Sequence, residues 1–358
     1  MKKRYNFMNL LRVLSMFTIV FYHMLITLYI YGIRQLESIS FFFENKNMHI
    51  AKIGVCLFFM LSGCGLMLGA KDSNKHFSIK DFYIKRFKKI LIPFYIVYVC
   101  YFIFLLCIGE MSISNPFGEK KLLPISFIFT LFGMDAYLEN FGIPTCSLGI
   151  GEWFLGCLIL IYILYPLLRL AMQKNKYITI IVASLYYVLI NMFYQDIPMF
   201  AGVNMYMNMA IKIYDFILGM FLAMVIDDIP KIALFISIPL NLIFVLCPFT
   251  LPGIDSFQIP IQCLTIFIIC SFLEKALDKA NVFMKIVSIL AAYSYEYFLV
   301  HHIVIVHMTR LGQNRAFSNI NILLLFIGEM LITTLLAILL KKVTSIKTTK
   351  INAHTSGK

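Results

Sequence analysis

Apolar runs of membrane-spanning length recur along the chain, separated by short polar stretches. Twenty helical residues rise about 30 Å, the thickness of a bilayer's hydrocarbon core. The runs near 8–31, 53–70, 90–108, 153–171, 177–194, 206–226, 232–249, 259–273, 286–308 and 320–340 predict about ten transmembrane helices. A further run at 122–134 is short, opened by Pro124 and closed by Gly133. The longest polar stretches, 71–89, 109–121 and 135–152, leave no room for a soluble domain. The pattern predicts an all-α integral membrane protein. Its membrane domain covers 1–341, and 342–358 form a short basic tail expected to fray.

Lys and Arg set the orientation, because they collect in cytoplasmic loops. With the N-terminus in the cytoplasm and ten alternating spans, inside segments carry 22 basic residues and outside segments and span mouths eight. Arg12 lies at the inner end of the first span. If 122–134 also crossed, 135–152, with acidic residues and no Lys or Arg, would face the cytoplasm and every later loop would invert. That run therefore reads as re-entrant or interfacial, and both termini as cytoplasmic.

Composition narrows the class. Of 358 residues 61% are apolar and 14% charged, and mean hydropathy is +0.85. Soluble domains are roughly 25% charged, so soluble enzymes, nucleic-acid-binding domains and disordered chains are excluded. The net charge of +13 reads as topology, with no nucleic-acid partner. The basic start followed by a long apolar stretch lacks a small-residue cleavage site, and reads as a retained first helix. The nine cysteines are scattered, with no CxxC pair. They predict buried small hydrophobes and no metal.

Polar groups inside apolar runs are the candidates for chemistry. Arg12 and His23 share one face of the first span, roughly 16 Å apart. They read either as a snorkelling Arg with a packed His or as functional groups. Ser62, Gly63 and Gly65 permit close approach by a helix or a ligand. Lys85, Arg86, Lys88 and Lys89 form a basic cluster, either a headgroup anchor or a phosphate site. The run 286–308 is densest in polar groups: Ser294, Tyr297 and His301 share one face, and Glu296 and His307 another. His301 is expected at a depth similar to His23, with Glu152 at the same outer surface. Lys212 and Asp215 are spaced for an intrahelical pair, and Glu329 has no obvious partner. Walker, GxGxxG, GxSxG and HExxH motifs are missing. From these residues alone, a transporter or flippase for a lipid-linked sugar competes with an enzyme.

Four motifs carry a resemblance over essentially the whole chain. They are Arg12 and His23 in the first span; Phe58-Phe59-x-x-Ser62-Gly63; Lys85-Arg86-x-x-Lys89 leading to Pro93-Phe94-Tyr95; and Ser294-Tyr295-x-x-x-Leu299-x-His301. Trp153-Phe154-Leu155 and Phe216-Ile217-Leu218-Gly219 are weaker landmarks. In this order they resemble the acyltransferase 3 family of integral membrane O-acyltransferases. The resemblance implies transfer of an acyl group, acetyl above all, from cytoplasmic acyl-CoA to a hydroxyl of a cell-surface glycan or its lipid-linked precursor, at a bacterial plasma membrane. It places His23, His301 and Ser62 at the catalytic centre, with His23 deprotonating the hydroxyl and His301 orienting it or binding the acceptor. It places Arg12, Lys85, Arg86 and Lys89 at the donor's phosphates, and Glu152, Trp153 and Tyr297 at the acceptor. Acyl-CoA is a donor substrate, no cofactor is permanently bound, and membrane lipids are the other partners. Two departures stand out. Lys89 occupies a place where the family commonly has a second Arg, and Lys binds phosphate as a point charge without the bidentate fork. No extracellular SGNH-type domain is expected.

Overall fold

The structure, a computed structural model, describes residues 5–32, 50–71, 77–112, 117, 122, 125–246, 255–313 and 317–355. The outer basic residues Arg34, Lys46, Lys120, Lys121 and Arg315, and Cys247, lie outside the described residues. Among the described residues the regular structure is all helical, with no strand. In chain order the helices are α1 (Asn6–Ile30), α2 (Ile50–Lys71), α3 (Ile79–Cys107), α4 (Ser126–Leu131), α5 (Asp135–Glu139), α6 (Glu152–Lys174), α7 (Lys176–Met192), α8 (Met209–Val225), α9 (Lys231–Leu246), α10 (Asp255–Phe272), α11 (Glu274–Leu277), α12 (Asn281–Ala292), α13 (Ser294–Arg310) and α14 (Asn319–Thr355).

Among the described residues five helices are long and apolar enough to cross a membrane: α1, α2, α3, α6 and α14. The pair α12 and α13 makes a sixth if it counts as one bent span. The remaining expected spans are shorter. The seventeen residues of α7 rise about 26 Å, and α9 and α10 are also short apolar helices. The run 286–308, expected as one span, is broken at Tyr293. Among the described residues of the short run at 122–134 the helix is the six-residue α4, about 9 Å long, too short to cross a bilayer. The basic tail continues the last helix through Thr355.

The chain divides into two compact units. The first comprises Met1–His76 and Ile161–Ala292, and its centre is the packing of α2 on α1 and α8. A β carbon on Gly63 would collide with the Phe216 carbonyl oxygen, and one on Gly219 with the Met60 carbonyl oxygen. The two backbones therefore meet directly, as small residues allow between apolar helices. A β carbon on Gly54 would stand 2.7 Å from Thr18 Oγ1, so α1 approaches α2 almost as closely. Lys212 Nζ lies 2.9 Å from Asp215 Oδ2, both buried, which is the expected intrahelical pair.

The start of α1 has no capping side chain of its own, since Tyr5 precedes it. Its first amides find an acceptor far along the chain. The N–H groups of Asn6 and Phe7 donate to Glu274 Oε1 (2.7 Å) and Oε2 (2.9 Å). Asn6 Nδ2 donates to Asp278 Oδ1 at 2.7 Å. A carboxylate here also complements the positive end of the helix dipole.

The second unit comprises Phe77–Leu160 and Tyr293–Lys358, with α13 packed on α14 and both on α3. Ser78 caps α3, accepting from the Asp81 N–H at 3.2 Å. Tyrosines on α3 hold the segment that follows it. Tyr98 OH donates to the Cys146 carbonyl at 2.7 Å, and Tyr95 OH to that of Leu131. Tyr295 OH donates to the Ile90 carbonyl at 2.8 Å, tying α13 to α3. Lys341 pairs with Glu296 at 3.4 Å.

Candidate active site

Arg12, His23 and Ser62 belong to the first unit. Lys85, Arg86, Lys89, Glu152, Trp153, Tyr297 and His301 belong to the second.

In the second unit the turn before α6 is left-handed. Gly149 and Gly151 have φ of 74° and 70°, which glycine adopts at no steric cost. Glu152 follows at φ 40°, the one non-glycine residue with positive φ among the described residues. That conformation costs a side-chain-bearing residue about 1–2 kcal/mol. It leaves the carboxylate at the positive N-terminal end of α6 and within 4.8 Å of a ring nitrogen of His301. The turn also lies against the neighbouring histidine: a β carbon on Gly149 would be 3.8 Å from His302 Nδ1.

His301 is 1% exposed. Its Nδ1 lies 2.9 Å from the Phe298 carbonyl and 3.2 Å from that of Tyr297. A carbonyl only accepts, so Nδ1 carries the proton, and in the neutral ring Nε2 holds the lone pair. The helix thus fixes both the ring and its tautomer. Aromatic packing supports the same turn. The Phe154 and Phe298 rings meet edge to face at 4.8 Å, and half-buried Trp153 stands beside Phe154. Tyr297 is buried, its hydroxyl bonded to Thr334 Oγ1 of α14.

The basic cluster lies on the first turns of α3. Lys85, Lys88 and Lys89 are exposed, while Arg86 is half-buried with its guanidinium 6.0 Å from the Phe82 ring centre. In the first unit, Arg12 Nη1 donates to Asn9 Oδ1 at 2.9 Å. A β carbon on Gly65 would be 3.5 Å from Arg12 Nη2, so Arg12 and Gly65 do come together. At Gly63 the close approach is by a helix, since the residue is taken up in packing on α8. Ser62 and His23 are half-buried on α2 and α1.

The family model for the acyltransferase 3 Acyltransferase domain matches residues 5–342. The chain belongs to this family. A segment of 156 residues is 27% identical to the peptidoglycan O-acetyltransferase OatA of Listeria monocytogenes. The match covers 40% of this chain and 24% of that protein, so the chain spans about a quarter of the length of that relative. No solved structure gives a significant match.

All four motif segments, from Arg12 to His301, lie within the matched span. The partners of other polar groups are not legible in the sequence. Glu329, fully buried, accepts from Thr309 Oγ1 at 3.3 Å. His307 Nε2 lies 3.0 Å from Tyr101 OH. Asn9, Ser288 and Glu274 belong to none of the motifs. The available signal for Asn9 was an amide three residues before Arg12 on one helix face.

Proposed function

We propose that this acyltransferase is a multi-pass membrane O-acyltransferase that moves an acetyl or similar acyl group from cytoplasmic acyl-CoA to a hydroxyl of a cell-surface glycan or its lipid-linked precursor. Ten crossings with both termini in the cytoplasm of a bacterial cell accompany this reading, supported by the asymmetry of Lys and Arg. The acceptor class is supported by the partial likeness to a peptidoglycan O-acetyltransferase.

The observation that carries the chemistry is His301. Its Nδ1–H is held by backbone carbonyls, and the Glu152 carboxylate is within 4.8 Å of the ring. In this reading His301 acts as the base, and His23 orients or binds the acceptor. Nε2 takes the proton of the acceptor hydroxyl as its oxygen attacks the thioester carbonyl. The C–O bond forms, the C–S bond breaks, and the departing thiolate recovers a proton from the imidazolium. Glu152 places a negative charge where the ring becomes positive. Arg12, Lys85, Arg86 and Lys89 serve the donor's phosphates, Arg by charge-assisted hydrogen bonds. Trp153 and Tyr297 complete the acceptor's surroundings, and Ser62 the catalytic centre.

Mass spectrometry of surface polymer from a strain lacking the protein tests this reading. Loss of ester-linked acyl groups with polymer export intact supports it. Loss of export with acylation unchanged makes the protein a carrier of lipid-linked sugar.

A further inference from the structure

Asn9 sits in the apolar first helix, where an amide is a poor helix former and expensive to bury unpaired. Both ends of its side chain are engaged. Oδ1 accepts from Arg12 Nη1 at 2.9 Å, and Nδ2 donates to Ser288 Oγ on α12 at 3.3 Å. These two bonds fix which way the amide points, since only the oxygen can accept from a guanidinium. Asn9 and Arg12 are three residues apart on α1, so they share a face. The relay Ser288–Asn9–Arg12 therefore ties the guanidinium to a second helix of the same unit.

The rest of that guanidinium is differently placed. Nη2 lies over Gly65, where a β carbon would be only 3.5 Å away, and Arg12 is half-buried. A guanidinium has five donors in a rigid fork that suits phosphate. Holding Nη1 from one side turns the fork and leaves its other donors for an anion. Arg12 stands about 9 Å along the helix axis from Asn6, whose amide is itself pinned by Glu274. Height and rotation of the cation are thus both set by contacts within one unit.

We propose that Asn9, buttressed by Ser288, is a positioning residue that aims the Arg12 guanidinium at a phosphate of the acyl-CoA donor. The inference rests on the reading of Arg12 as a donor-binding residue. It assigns Asn9 no contact with the donor, so its effect passes wholly through Arg12.

A double-mutant cycle on the purified full-length protein tests this, with labelled acetyl-CoA varied at fixed acceptor. Asn9→Leu is expected to raise KM for acetyl-CoA about tenfold, the scale of one hydrogen bond to a charged group, with kcat changed less than about twofold. Ser288→Ala, a smaller change that keeps the helix intact, should move KM in the same direction by less. In the Arg12→Ala background neither substitution should raise KM further, because coupled residues are non-additive. A full additional rise on Arg12→Ala would overturn the proposal, giving Asn9 a purely structural role. So would an unchanged KM in both Asn9→Leu and Ser288→Ala while Arg12→Ala raises it, an outcome that leaves the donor-binding reading standing. An unchanged KM in Arg12→Ala itself would overturn both.

Discussion

Replacing Glu274 by Ala removes the acceptor for two backbone N–H groups at the start of α1. The groups left behind are part-buried, and Tyr5 at the N-cap makes no side-chain hydrogen bond to them. Loss of a capping side chain costs about 0.5–2 kcal/mol, and loss of a negative charge at the helix N-terminus about 0.3–1 kcal/mol. Asn6 keeps its bond to Asp278, which limits the damage. The expected loss is therefore about 1–3 kcal/mol for Ala, and about half of that for Gln, which keeps one acceptor but not the charge. Thermal unfolding in detergent, followed by a dye that reacts with newly exposed thiols, reads this directly. Cys56 and Cys64 are fully buried in the helices around α1, and their reaction reports opening of that unit. The midpoint should fall by several degrees for Ala and less for Gln. An unchanged midpoint in Glu274→Ala would refute the claim that a residue of α11 holds the first helix in place.

Gly219→Leu drives a side chain into the Met60 carbonyl and should cost more than the about 1–3 kcal/mol usual for overpacking, seen as loss of folded protein in size-exclusion chromatography. Arg86→Ala should raise KM for acetyl-CoA more than it alters acceptor use, since a charge-assisted contact is worth about 1.5–3 kcal/mol; steady-state kinetics of the purified variant checks it. A cysteine introduced within 77–89 should resist impermeant thiol reagents added outside intact cells and react after permeabilisation, if the basic loop is cytoplasmic.

Local composition carried the broad class. Run length and the exclusion of charge demand apolar helices, and the ordered motifs demanded the family. Tertiary partners were less legible. Gly63 and Gly219 each announce a close approach, but nothing local says that the two face one another's helices. The break at Tyr293 falls in a run without Pro or Gly, where hydropathy gives no warning. The cap on α1 comes from a residue 268 positions away, beyond any local pattern. His301 was legible as a polar residue in an apolar run, yet its tautomer follows only from the Phe298 and Tyr297 carbonyls. The glycines before Glu152 announce a left-handed turn, but not the approach of its carboxylate to the histidine.

Transfer of label from acetyl-CoA to a glycan acceptor in membrane vesicles tests the central claim most directly. The wild-type protein should transfer label. His301→Gln, with an unfolding midpoint like wild type, should lose transfer by about 10²-fold or more, because an amide cannot take the hydroxyl proton; His23→Gln should also be impaired. Near-wild-type transfer by folded His301→Gln would contradict a histidine base on α13.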